Sequence, residues 1–323
     1  MGLLINGEWH PGWYDTSKTG GRFVREDTKF HHWVTADGSS GFGAAPHRYH
    51  LYVSLACPWA HRTLIFRRLK QLEDLISISV VDPYMGEQGW MFSDAPGCIP
   101  DTVNGFTYLR ELYTAAQPDY TGRVTVPVLW DKHTGTIVNN ESAEIIRMFN
   151  SEFNALTDVE TDYYPASLRD TIDEINGFVY DRINNGVYKT GFATTQDAYE
   201  EAFDALFQAL DEIEAILARR RYLAGTRLTE ADWRLFTTLI RFDSVYYGHF
   251  KCNLRHIYEH PNLWNYVREL YQVPGVAETV NMEHIKQHYY RSHDTINPTG
   301  IVPKGPALDF DQPHDRGRFE VGQ

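Results

Sequence analysis

His50-Leu-Tyr-Val-Ser-Leu-Ala-Cys57-Pro58-Trp59-Ala60-His61-Arg62 reads as a buried β-strand that delivers a cysteine to the first turn of a helix, with proline following at once. A helix N-terminus carries partial positive charge and unpaired N–H groups, so it favours a thiolate over a thiol. Proline at the first helical position gives up no needed donor and presets φ. A sulfur placed this way is nucleophilic at neutral pH. Ala60 stands where a dithiol site would carry its second cysteine. A sulfur oxidised by its substrate must therefore be released by an external thiol.

Around this motif, strands and helices alternate from about 47 to 150. Strand 49–55 precedes helix 58–71, whose apolar stripe is Leu64, Phe66, Leu69 and Leu72, and strand 76–81 follows. Strands 126–130 and 136–138 flank a hairpin turn at Lys132-His-Thr-Gly135, and helix 141–150 closes the unit. That order describes a small mixed sheet with helices on both faces. The stretch 82–120 is long for an internal connection and is expected to cap the site as a lid. Before the motif, residues 1–45 form an irregular extension in which Ile5-Asn6-Gly7-Glu8 reads as a tight hairpin turn. Beyond about 160 the period turns helical, with stretches 167–184, 196–220, 230–246, 261–271 and 275–290 supplying the apolar stripes of a bundle. Thr229-Glu-Ala-Asp232 is a short-armed capping box that starts one of these helices and carries no chemistry. The expected division is an extension 1–45, an α/β domain 46–155, an all-α domain 160–292 and a tail 293–323 that wraps over the surface and ends frayed.

A chain of 323 residues holds about two domains. A formal charge of −13, with no basic stripe, argues against a nucleic-acid partner. No stretch approaches the roughly 20 apolar residues of a membrane span, and the N-terminus carries neither a basic region with a cleavage site nor, at Asn6, the residue a myristoylation signal needs. The 20 Tyr, 17 Phe and 8 Trp suit flat apolar ligands and equally suit a well-packed core. Three cysteines are too few for a disulfide framework and fit a reducing, cytoplasmic compartment. Cys98 and Cys252 lack the strand-to-helix setting and read as structural. His284 and His288 stand one helical turn apart, but no third ligand is spaced to join them, so no metal is expected.

Val126-Pro127 opens a strand after a loop containing Arg123. Proline there belongs at a strand end or edge, with a cis bond allowed, and the free backbone groups beside it can clamp an extended peptide. Asn140-Glu141-Ser142-Ala starts a helix. Ser142 and the N–H groups there make a carboxylate site, and Glu141 can pair with an ammonium. An amino-acid end, such as the γ-glutamyl end of glutathione, needs that combination; ordinary capping explains the same residues.

Taken together, Cys57-Pro-Trp-Ala-His-Arg, Val126-Pro127, Asn140-Glu-Ser-Ala and the Thr229–Asp232 cap resemble the glutathione transferase superfamily in its cysteine-type, omega-like branches. The extension, Gly89-Trp90, Gly186-Val-Tyr188-Lys, Arg241-Phe-Asp-Ser-Val-Tyr246 and His288-Tyr289-Tyr-Arg-Ser-His resemble more narrowly the glutathionyl-hydroquinone reductases, or xi class. The resemblance covers about residues 3 to 305. It implies a thioredoxin-like N-terminal domain, an all-helical C-terminal domain and a homodimer. It implies Cys57 as nucleophile, Tyr188 as proton donor, and Tyr246 and Tyr289 favouring the thiolate. Trp90, Arg123, Val126, Glu141 and Ser142 would hold glutathione, which is a co-substrate and not a resident cofactor.

An aryl thioether resists thiolate attack because an aryl carbanion leaves poorly. If the hydroquinone first becomes its keto tautomer, attack on sulfur expels an enolate, and an oriented tyrosine phenol can protonate it. Cys57 is left as a mixed disulfide that a second glutathione resolves, which predicts ping-pong kinetics. Two other readings stand beside this one: an omega-like thioltransferase or dehydroascorbate reductase, which needs no tyrosine donor, and a non-catalytic ligandin.

Overall fold

A computed structural model of the chain describes residues 2–319. It divides into two compact units: Met1–Trp13 with Glu26–Thr161 and Thr279–Asp294, and Tyr14–Arg25 with Asp162–Glu278 and Thr295–Gln323. The first unit begins with the expected hairpin. Strands β1 (Gly2–Ile5) and β2 (Glu8–Pro11) meet at Asn6 and Gly7, both in the left-handed region with φ of 49° and 80°. That is the twist a two-residue hairpin needs. Two short parallel strands follow, β3 (Val34–Thr35) and β4 (Phe42–Gly43).

The central sheet is built from β5 (Tyr49–Val53), β6 (Ser77–Val80), β8 (Val128–Asp131) and β9 (Thr136–Asn139), in the order β6-β5-β8-β9. Between β6 and β8 the chain also forms β7 (Gly122–Arg123), which pairs with β1. β5 runs parallel to β6 and antiparallel to β8, and every residue of β5 is buried. Burial on both faces extends to His50, whose ring nitrogens lie 2.7 and 2.9 Å from Ser77 Oγ and Ser79 Oγ. Desolvation pushes its pKa down to about 4, so it stays neutral in the sheet. Helices α1 (Pro58–Leu69) and α3 (Ser142–Ser151) pack together, and α2 (Arg110–Ala116) lies against β9.

The stretch expected as a lid is a built part of this unit, containing α2 and knitted to the edge strand. Val80 and Ile99 exchange both backbone hydrogen bonds, at 2.9 and 3.0 Å. Asp101 accepts the Tyr52 hydroxyl at 2.8 Å and the amides of Val103, Asn104 and Phe106 at 3.0 to 3.2 Å. One carboxylate thus satisfies a loop that periodicity alone leaves shapeless.

The second unit holds α4 (Arg169–Val179), α5 (Gly186–Gly191), α6 (Gln196–Leu217), α7 (Glu230–Arg241) and α8 (Pro261–Tyr271). Wider π-type turns extend α4 over Tyr180–Asn184 and α7 over Phe242–Tyr246. The capping box forms as read, the Thr229 amide donating to Asp232 at 2.8 Å. One expectation about a boundary changes. Helix α9 (Met282–Ser292) belongs to the first unit and not to the helical one. The reason is its polar face: His288 Nδ1 donates to the Pro83 carbonyl at 2.9 Å, His284 Nε2 to Pro96 at 2.8 Å, and Ser292 Oγ accepts the Met85 amide at 3.0 Å. The tail is held by the fully buried Arg316, whose guanidinium donates to the carbonyls of Leu217, Arg220 and Arg221 at 2.5 to 2.7 Å; its end, expected to fray, lies outside the described residues. Arg316 satisfies the open C-terminus of α6 with a cation. Among the described residues, no helix is long and apolar enough to cross a membrane.

Candidate active site

Cys57 is the N-cap of α1, with Pro58 at the first helical position and extended backbone at φ −76°, ψ 124°. The strand delivers it, Ser54 O accepting the Cys57 amide at 3.2 Å before the helix begins with His61 N–H on Cys57 O at 3.0 Å. The thiol is half-buried, and Sγ lies 3.6 Å from the Val126 carbonyl as donor to acceptor. The Val126–Pro127 bond is cis. A sulfur, a helix N-terminus and a strand-end backbone edge are therefore gathered at one point of the first unit.

Beside them, α3 starts at Glu141 and Ser142. Glu141 Oε1 accepts the Ala143 amide at 3.0 Å, the ordinary capping bond, while Thr28 Oγ1 donates to Oε2 at 3.4 Å. Ser142 is buried, and Arg62 Nη1 donates to its Oγ at 3.3 Å. Arg62 itself is fully buried with its guanidinium 4.5 Å from the Trp59 ring centroid. Sequence reasoning passed over Arg62 although it sits inside the cysteine motif. Its signal is position: the fifth residue after Cys57 falls on α1, the helix that packs on α3.

Trp90 is buried and stacks on His288 with ring centroids 4.7 Å apart and planes at 24°. Tyr289 is almost wholly buried, its ring edge-on to His288 and His293 at 5.2 and 5.5 Å. The imidazole of His288, which sequence spacing offered only as half of a metal pair, is instead the bridge between two predicted site residues. Among the described residues no group of three or more His, Cys, Asp or Glu side chains is placed to hold a metal ion. Arg123 lies against the N-terminal extension. Its guanidinium donates long bonds of 3.4 to 3.5 Å to the carbonyls of Gly2, Gly12 and Trp13, and Glu26 stands 3.8 Å from Nε.

Tyr188 and Tyr246 belong to the second unit. Tyr188 sits on α5, and Tyr246 ends the π turn that follows α7. Their rings are 6.1 Å apart in an aromatic cluster with Phe23, Phe192 and Phe250. The remaining cysteines sit elsewhere. Cys252 is fully buried and burial pushes its thiol far up, while Cys98 is half-buried and also raised by burial. Neither is disposed to act as a thiolate.

Models of the glutathione S-transferase N-terminal domain and C-terminal domain match residues 56–152 and 196–269. The chain is 58% identical to the glutathionyl-hydroquinone reductase YqjG of Escherichia coli over 98% of both chains. The glutathione-bound structure of YqjG superposes with a TM-score of 0.92 at 55% identity, covering 98% of this chain and 100% of that one. A xi-class glutathione transferase from Natrialba magadii superposes with a TM-score of 0.94 at 52% identity, covering 100% and 98%.

Proposed function

The chain belongs to the glutathione S-transferase family, in its xi-class, glutathionyl-hydroquinone reductase branch, and we propose that it reduces glutathionyl-hydroquinones to hydroquinones at the expense of glutathione. One observation carries the chemistry: a half-buried cysteine at a helix N-cap, on a helix with no second thiol, beside a cis X–Pro strand end. The helix terminus favours the Cys57 thiolate. That thiolate attacks the glutathionyl sulfur of the keto tautomer. The carbon–sulfur pair leaves with the ring as an enolate, Tyr188 gives it a proton, and Cys57 is left disulfide-bonded to glutathione. A second glutathione thiolate attacks that disulfide, releasing glutathione disulfide and restoring Cys57.

Trp90, Arg123, Val126, Glu141 and Ser142 hold glutathione in this reading. The Val126 backbone edge suits the cysteinyl segment. Ser142 and the amides opening α3 suit the γ-glutamyl carboxylate, and Glu141 suits its ammonium. The glutathione complex of the similar YqjG supports glutathione as co-substrate. Tyr246 and Tyr289 favour the thiolate form. The three free cysteines fit a cytoplasmic enzyme, and we further propose a homodimer.

The test is mass spectrometry after a single turnover with glutathionyl-hydroquinone. One glutathionyl group on Cys57, released by added glutathione, is the expected result, and Cys57→Ser should abolish turnover. Undiminished turnover by that variant would overturn the assignment. Equal activity on hydroxyethyl disulfide and on glutathionyl-hydroquinone in both the parent and Tyr188→Phe would favour a thioltransferase.

A further inference from the structure

The segment Tyr14–Arg25 of the N-terminal extension belongs to the helical unit, although sequence alone set it among irregular leader residues. Its attachment is specific. Thr16 Oγ1 and Thr194 Oγ1 are 2.7 Å apart, and the Thr194 amide donates to Gly21 O at 3.0 Å. Phe23 is buried edge-on against Phe192 at 5.3 Å. The segment ends on Arg25, whose Nε donates to Asn185 Oδ1 at 2.8 Å. Asn185 is buried and stands at the entry to α5, three residues before Tyr188. Held there, the guanidinium carbon lies 4.8 Å from the centroid of the Tyr188 ring and 5.4 Å from that of Phe23.

We propose that Arg25 is a positioning residue for Tyr188: its guanidinium, fixed over the phenol by Asn185, stabilises the phenolate that forms as Tyr188 gives up its proton. This rests on the reading of Tyr188 as proton donor. A guanidinium does not deprotonate in a protein, so Arg25 relays no proton and acts by charge alone. Over a neutral phenol that charge meets only the ring quadrupole. Once the hydroxyl proton has moved to the departing enolate, it meets a full negative charge, and an attraction that grows along the reaction coordinate speeds the step. The surroundings amplify it. The rings of Phe23, Phe192, Tyr246 and Phe250 pack about Tyr188, and His249 lies behind Phe250 at 5.3 Å. Lys189, next in sequence, is engaged by Asp181 at 2.6 Å, with Arg182 3.6 Å from the same carboxylate.

The experiment compares Arg25→Met, Arg25→Lys, Tyr188→Phe and the double variant Arg25→Met/Tyr188→Phe across pH with glutathionyl-hydroquinone. Arg25→Met should lower kcat on the order of tenfold with the KM for glutathione unchanged, and move the alkaline limb of the kcat profile to higher pH. Arg25→Lys should restore much of kcat, and in the Tyr188→Phe background Arg25→Met should cost nothing further. Independently of turnover, the tyrosinate difference spectrum of Arg25→Met should show one tyrosine, absent in Tyr188→Phe, ionising at higher pH. The proposal is overturned if Arg25→Met leaves kcat and that tyrosine unchanged, or slows Tyr188→Phe as much as the parent. If Tyr188→Phe itself turns over normally, the proton-donor reading falls and this one with it. If Tyr188→Phe is slow and Arg25→Met is not, only the role of Arg25 falls.

Discussion

Asp232 is fully buried at the third position of α7 and still accepts four donors: the amides of Thr229 and Leu223 at 2.8 and 2.9 Å, the Tyr266 hydroxyl at 2.8 Å and the Thr229 hydroxyl at 3.1 Å. Burial outweighs them and holds the carboxyl up at about 6, against its ordinary 3.8. A folded-state value above the unfolded one means that the folded chain binds the proton more tightly. The resulting stabilisation is complete below the unfolded value and is lost as pH rises through about 6. Asp232→Asn removes the titration. The stability gap between parent and variant, measured by urea unfolding, should therefore narrow by about 2 kcal/mol between about pH 4 and about pH 7. A gap that stays constant would show the donors holding the group ionised throughout. The residue was readable as a cap because a capping box is local in sequence. Arg25 was not, since its partner Asn185 lies 160 positions away. Arg316 was missed for a similar reason: nothing in a polar tail marks the one cation that closes a distant helix end.

Helix α5 is short, and its last glycine decides what it can pack against. A Cβ on Gly191 would lie 2.1 Å from Phe250 Cγ and 2.6 Å from its Cβ, near the root of the side chain and not at a flexible tip. Alanine in place of glycine ordinarily helps a helix by about 1 kcal/mol, but here overpacking reverses the sign. Gly191→Ala should destabilise the fold by about 1–3 kcal/mol in urea or thermal unfolding. It should also lower turnover, because the Phe250 ring is stacked on Tyr246 at 5.5 Å and edge-on to Tyr188 at 5.6 Å. A stabilised, fully active variant would contradict this. The same helices show how far periodicity reaches. The helical run through 184 was visible, yet the wider turn at its end was not. Asn184 Nδ2 donates to Arg234 O at 3.1 Å and to Thr238 Oγ1 at 2.7 Å, and such a cross-helix anchor leaves no trace in a hydrophobic repeat. The strands around Cys57 were legible because alternation, hairpin chemistry and the Cys-Pro start all lie within a few residues of one another. Helix α2 lacked such a signal, being only Arg110–Ala116 within a stretch organised by the single carboxylate of Asp101.

Across the molecule, the N-terminal extension divides its allegiance: residues up to Trp13 fold with the first unit, and Tyr14–Arg25 with the second. Each part has its own anchor. The first contributes the hairpin β1–β2, with Leu4 buried and Leu3 and Leu4 paired with Arg123 and Gly122 of β7, and carries the carbonyls that hold the Arg123 guanidinium. The second carries Phe23 and Arg25, set against Tyr188. Two truncations should therefore fail in different ways. Removing residues 2–13 strips β7 of its partner strand and Arg123 of three acceptors, so the KM for glutathione should rise several-fold while kcat is largely kept. Removing residues 2–25 should in addition lower kcat on the order of tenfold, because the charge over the Tyr188 ring goes with it. Steady-state kinetics on both truncations, with circular dichroism to confirm that each is folded, separates the two contributions. Equal kcat for the two would mean that the second segment only covers apolar rings, and a KM unchanged in the shorter truncation would remove Arg123 from the residues proposed to hold glutathione.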